Sequence, residues 1–195
     1  LPSPAELPVG VIAIVSHVPP AVGTIKAVDL TRAISQSAAD SGLKSTPAPG
    51  QPKYKGIEKA ALGELLDGIW IQGQAREMRI VATRAQIDRE LELIKMENFK
   101  TGKEYRAFLK RSHLSHQDVV YRVELQILST KIQERVLRHS GGSPGDVQKE
   151  FAAFVDAYAK RWRARTVCAA DKATERCSNG PTPEAEPPAV ASSAP

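Results

Sequence analysis

Residues 83–118 read TRAQIDRELELIKMENFKTGKEYRAFLKRSHLSHQD, and three times in this stretch a hydroxyl residue is followed three positions later by an amide or an acid. The pairs are Thr83 with Gln86, Thr101 with Glu104 and Ser115 with Asp118. A hydroxyl oxygen at the N-cap accepts a free backbone N–H of the first turn, and the residue three later answers at the cap's own N–H. Three such devices predict helices over 84–97, 102–111 and 116–137. The surrounding composition agrees. Aromatics are 5% of the 195 residues, and Ala, Leu, Ile, Lys, Arg, Glu and Gln fill the middle, which sets the fold class as all-α.

Downstream, Ser140-Gly-Gly-Ser-Pro-Gly145 breaks the chain, and Ser143, Pro144 and Asp146 restart it as a cap, a first-turn proline and an acid at the positive end of a helix dipole. The final helix is expected over 146–165. Phe151, Phe154, Tyr158 and Trp162 recur along it at three and four residues, so they share one face. Phe151 and Phe154 read as core, whereas Tyr158 and Trp162, amphipathic rings at a helix end, suit core and a ligand-lining groove equally. Lys160, Arg161, Arg163 and Arg165 make that end basic.

Cys168 and Cys177 follow, with eight residues between them, which is neither a CxxC redox motif nor a zinc set. A disulfide is the economical reading. It would stabilise the chain end by about 2–3 kcal/mol and place the protein outside the cytosol. Two free thiols in a cytosolic protein are the alternative. Residues 181–195 are rich in Pro, Ala, Ser and Glu and are expected to be disordered.

Upstream, Ile57, Ala61, Leu65 and Ile69, with Leu62 and Leu66, recur at helical spacing as far as about Arg79. Gly63, Gly68 and Gly73 interrupt this long helix at about 1 kcal/mol each relative to Ala, and mark places of close packing. Residues 41–55 carry loop chemistry, and Asp29 to Ala39 form a shorter helix. Val11-Ile-Ala-Ile-Val15 is a single short strand that can pair with residues 23–25, and nothing else looks like sheet. Residues 1–8 form a flexible lead-in. One helical domain is therefore expected over 9–180.

The formal charge is +5 and the isoelectric point near 9.3, which would favour acidic partners, yet acids alternate with the bases from Glu58 to Glu134. No basic run is interleaved with aromatics that could stack on bases, so nucleic acid is not an expected partner. The longest apolar run, Val9 to Val15, is far too short to cross a bilayer. The chain opens on Leu1, so a leader is expected to have been removed, and a membrane tether through it stays open.

His17, His113, His116 and His139 make no metal or acid–base constellation, and HExxH, GxSxG and phosphate-loop motifs are absent. Ser115, His116 and Asp118 have the spacing of a helix cap rather than a triad. No enzyme, cofactor, metal or small-molecule substrate is expected.

These residues together resemble the N-terminal chaperone region of the SurA-type foldases, secreted bacterial proteins associated with parvulin domains. Val11 to Val15 is similar to the family's opening strand. Tyr54 through Ala61-Leu-Gly-Glu-Leu-Leu66 to Trp70-Ile71 and Gln74-Ala-Arg-Glu77 is similar to its long helix. Thr83 to Ile87, Phe99, Tyr105 to Leu109, Leu114-Ser115, Asp118-Val119 and Arg122 to Leu128 follow its succession of capped helices, and Trp162 to Cys168 with Cys177 resembles the ends of secreted Gram-positive members. Relatives commonly carry a parvulin-type prolyl isomerase domain before the final helix. Here only Arg138 to Gly145 fills that place, with none of the parvulin motifs.

The resemblance implies about six helices in a SurA-like, trigger-factor-like arrangement with a short N-terminal strand or hairpin. It implies an extracytoplasmic, ATP-independent holdase for unfolded or newly exported polypeptides. Candidate client-binding residues, chosen for size and apolarity with several expected in the core, are Ile69, Trp70, Phe99, Tyr105, Phe108, Tyr121, Tyr158 and Trp162. The alternatives are a cell-envelope assembly protein that binds one specific partner, and a prolyl isomerase.

Overall fold

A computed structural model describes residues 1–139 and 143–182. The tail expected to be disordered lies outside the described residues from position 183 on, as does the middle of the 140–145 break. The chain is mostly helical, with seven α-helices and one small sheet among the described residues. In order these are β1 (Val11–Val15), α1 (Pro20–Gly23), β2 (Thr24–Lys26), α2 (Ala27–Asp40), α3 (Pro52–Glu77), α4 (Arg84–Asn98), α5 (Gly102–Arg111), α6 (His116–His139), α7 (Pro144–Ala164) and β3 (Thr166–Cys168). The lead-in is not featureless, since Pro4–Glu6 make one 3-10 turn in which the Ser3 N–H donates to the Glu6 carboxylate at 2.7 Å.

The capped helices start where the hydroxyl pairs place them. At α4 the Gln86 N–H donates to Thr83 Oγ1 at 3.3 Å and the Thr83 N–H to Gln86 Oε1 at 3.0 Å. Ser115 and Asp118 exchange the same two bonds at α6, at 3.1 and 2.7 Å. At α5 Thr101 accepts from the Glu104 N–H at 3.3 Å, but the Glu104 carboxylate reaches one residue further back, to the Lys100 N–H at 2.8 Å.

The sheet includes the expected N-terminal hairpin and adds a third strand, which corrects the reading that nothing else is sheet. β1 is its central strand, antiparallel to β2 on one side and to β3 on the other. β2 is the partner the sequence suggests. β3 is not legible beforehand, because three residues after a helix carry no alternation to read. Ser16 N–H to Arg165 O at 2.8 Å and Ala169 N–H to Ile12 O at 2.8 Å extend the pairing beyond both ends of β3. The outer edge of β3 is covered as well, by Ser178 N–H donating to Thr166 O at 2.7 Å and by the Asn179 amide, which bonds both the N–H and the C=O of Cys168 at 3.0 and 2.9 Å.

The main core gathers Ala13, Val15 and Ile25 of the sheet, Leu30, Ala33 and Ile34 of α2, Leu62, Leu66 and Trp70 of α3, and Trp162 of α7. A second core, built from Ile87 and Leu91 of α4, Leu114 and Val119, Val120 and Val123 of α6, joins α4, α5 and α6 into their own layer. Three of the four glycines of α3 are seats for large side chains from three other places. Gly63 lies under the Arg176 guanidinium, Gly68 under the Tyr121 hydroxyl and Gly73 under the Trp162 indole. A Cβ at Gly68 would stand 2.8 Å from that hydroxyl, and one at Gly73 would overlap the indole ring.

Candidate functional site

α7 crosses α3 near Gly73, and its last turn drives Trp162 into the main core with 0% exposure. Its indole N–H donates to Gln74 Oε1 at 3.1 Å, an oxygen that also accepts from Arg161. Thr166 Oγ1 bridges the two tryptophans, accepting from Trp70 Nε1 at 2.9 Å and donating to Trp162 O at 2.8 Å. Both indole N–H groups thus have a partner, which removes the cost of enclosing them, whereas Arg161 Nε is buried without a hydrogen bond. Arg165 lies over the Trp162 ring and pairs with Glu77 at 2.5 Å, closing the crossing from outside.

N-terminal to that crossing, the outer side of α7 and the middle of α3 diverge, and the segment after β3 forms a third wall. The result is an open groove of about 910 Å³. Its apolar lining comes from Trp70, Val155, Tyr158, Ala159 and Ala164. Tyr158 meets Trp70 edge-on at 6.1 Å and stacks on Phe154 at 6.2 Å. Burial pushes the Tyr158 phenol far above its ordinary pKa, with Asp67 adding to the shift and Arg161 and Arg176 opposing it.

The third wall is held in place at several points. Cys168 and Cys177 form a disulfide, and both sulfurs lie in the core. Arg163 donates to Glu175 O at 2.9 Å and to Gly180 O at 3.1 Å. Arg176 makes a two-point bond to Asp67 at 2.7 and 2.8 Å, and the hydrogen bonds to that carboxylate raise the guanidinium pKa further. Lys172 to Glu58 at 2.9 Å and Lys59 to Glu175 at 2.5 Å fix the segment to the first half of α3. Lys160 and Asp156 stand on the opposite rim.

The eight residues singled out for client binding do not converge. Trp70 and Tyr158 line the groove. Ile69 and Trp162 lie in the main core, and Trp70, which lines the groove, is itself almost wholly buried. Phe99, Tyr105 and Phe108 form a cluster of their own at the α4–α5 junction, with ring centroids 5.3 Å apart for both Phe99 pairs. There the Tyr105 hydroxyl is 3.0 Å from His116 Nδ1. Tyr121 is 36% exposed between α3 and α6, and its hydroxyl accepts from Gln72 at 2.8 Å.

The aromatic stripe of α7 is also inverted relative to expectation. Phe151 and Phe154, read as core, are half-buried, and Trp162 is the deepest residue of the helix, because α7 closes on α3 only at its C-terminal end. Val155 and Ala159 escaped a search by aromatic size. Val155 is 44% exposed and sits four residues after Phe151 and three before Tyr158, so the same helical spacing could have found it.

Among the described residues no group of three or more His, Cys, Asp or Glu is placed to hold a metal ion, and no helix is long and apolar enough to cross a membrane. No protein-family model, no curated protein and no solved structure matches this chain.

Proposed function

We propose that this chain is an extracytoplasmic, ATP-independent holdase that takes apolar segments of unfolded or newly exported polypeptides into the groove between α3, α7 and the segment after β3. The observation that carries the reading is the groove itself: an apolar floor of Trp70, Val155, Tyr158, Ala159 and Ala164 inside a rim of charged side chains. Side chains of many shapes make dispersion contacts with such a floor without a fixed hydrogen-bond pattern, which gives sequence tolerance. The charged rim keeps an occupied groove soluble. No step in this cycle of capture and release calls for a nucleotide.

The disulfide supports the compartment, since such bonds persist mainly where the medium is oxidising. The reading also draws on the resemblance of the sequence to SurA-type chaperone regions. That resemblance rests on the helix-cap and apolar motifs and on the Trp162 to Cys177 end.

Light scattering of an aggregating client tests the proposal. The wild-type chain is expected to suppress aggregation near stoichiometric amounts, and Val155→Glu with Ala159→Glu to lose most of that suppression while circular dichroism stays unchanged. No suppression by folded wild-type protein at several-fold excess, or equal suppression by the double variant, would overturn it.

A further inference from the structure

The excess positive charge of this molecule is not spread evenly. Between residues 95 and 113 it carries Lys95, Lys100, Lys103, Arg106, Lys110 and Arg111 against Glu97 and Glu104. Lys95 is paired with Glu92 at 2.8 Å, and the Glu104 carboxylate is engaged at the start of α5 by the Lys100 N–H. The other five cations form no ion pair among the described residues. Spacings of three and four put Lys103, Arg106 and Lys110 along one face of α5, while Phe108 and Leu109 pack inward on the second core.

Beside this cationic face lies an apolar tip. Met96 is 70% exposed, and with the half-buried Phe99 and Tyr105 it lines a shallow cleft of about 420 Å³ that Lys100 and Arg106 flank. An exposed thioether and half-buried aromatic rings beside unpaired lysines match the boundary of a bilayer, where rings sit at the headgroup level and flexible ammonium stems reach the phosphates. The cations are mostly lysines, spread over a face rather than forked at one point, which suits a diffuse field of negative charge better than a single carboxylate.

We propose that the α4–α5 junction is a docking surface for an anionic lipid bilayer, with Met96, Phe99 and Tyr105 at the headgroup boundary and Lys100, Lys103, Arg106 and Lys110 against the lipid phosphates. The surface is independent of the groove. A chain that fails to suppress aggregation but still binds vesicles separates this proposal from the holdase reading.

Co-sedimentation of the full chain with large vesicles tests it, comparing phosphatidylglycerol–phosphatidylcholine mixtures with phosphatidylcholine alone. Binding is expected only to the anionic vesicles at low ionic strength, with release as salt rises. The triple variant Lys103→Gln, Arg106→Gln, Lys110→Gln is expected to bind about 100-fold more weakly. A control triple, Lys44→Gln, Lys53→Gln, Lys55→Gln, removes the same charge from another exposed region and is expected to bind as the wild type does. The proposal is overturned by absence of binding to anionic vesicles, by equal binding to phosphatidylcholine alone, or by equal loss in both triples. Binding to polyglutamate without binding to vesicles would also overturn it, and would assign the face to an acidic polypeptide.

Discussion

Gly73 and Gly56 occupy the same helix and have opposite roles. At Gly73 the backbone of α3 is the floor on which the Trp162 indole lies, so a methyl group there displaces the largest fully buried side chain among the described residues. Gly73→Ala is expected to lower stability in urea by about 1–3 kcal/mol, the usual cost of forcing atoms into a packed core. At Gly56 a Cβ meets nothing within 4 Å, and Gly56→Ala is expected to stabilise by about 0.5–1 kcal/mol through helix propensity alone. The two unfolding midpoints should therefore move apart in opposite directions. The sequence shows that a residue such as Gly73 permits close approach. It cannot show which side chain approaches, because Arg176, Tyr121 and Trp162 reach α3 from parts of the chain that are far away in number.

The starts of the hydroxyl-capped helices were the most legible boundaries, and the reason is chemical, whereas α3 begins at Pro52, inside the stretch read as loop. Helix starts are encoded within four residues, so Thr83, Thr101, Ser115 and Ser143 announce α4, α5, α6 and α7 without any tertiary information. β3 is the opposite case. Thr166, Val167 and Cys168 become a strand because β1 offers an edge and because Ser178 and Asn179 cover the other side. The disulfide holds that cover against the strand it protects. Reduction, or Cys168→Ser with Cys177→Ser, is expected to cost about 2–3 kcal/mol, visible as a lower melting temperature of the reduced protein. The same reduction should expose the segment from Ala169 to Thr182 to protease before the rest of the chain. A melting temperature indifferent to reductant would contradict this account.

Across the whole molecule, charge and burial are unevenly distributed among the three cores, the third formed by Ala75, Ile80, Leu128 and Ile132, and only burial was partly legible from periodicity. Tyr158 beside the main core, Tyr121 between α3 and α6, and Tyr105 at the α4–α5 junction all have phenols whose pKa is raised, in each case chiefly by burial. In the unfolded chain these groups ionise near pH 10. Above that pH the unfolded state sheds protons that the folded state keeps, so the folded form loses stability as pH climbs toward the raised values. Absorbance titration at the phenolate band is expected to lag behind that of free tyrosine and then to rise together with loss of helical circular dichroism. Tyr158→Phe should move the unfolding limb to higher pH.

β1 sits between a partner that follows it within a few residues and another that arrives about 150 residues later. A chain that emerges from the ribosome or a translocation pore with its N-terminus first carries β1 with one edge bare until Cys168 is out. At roughly 5–20 residues per second this is a delay of roughly 8–30 s. During that interval β1 is a five-residue hydrophobic strand open to pairing with another nascent chain. The final segment therefore acts as a timer on assembly: until it arrives, neither the three-stranded sheet nor the groove is complete.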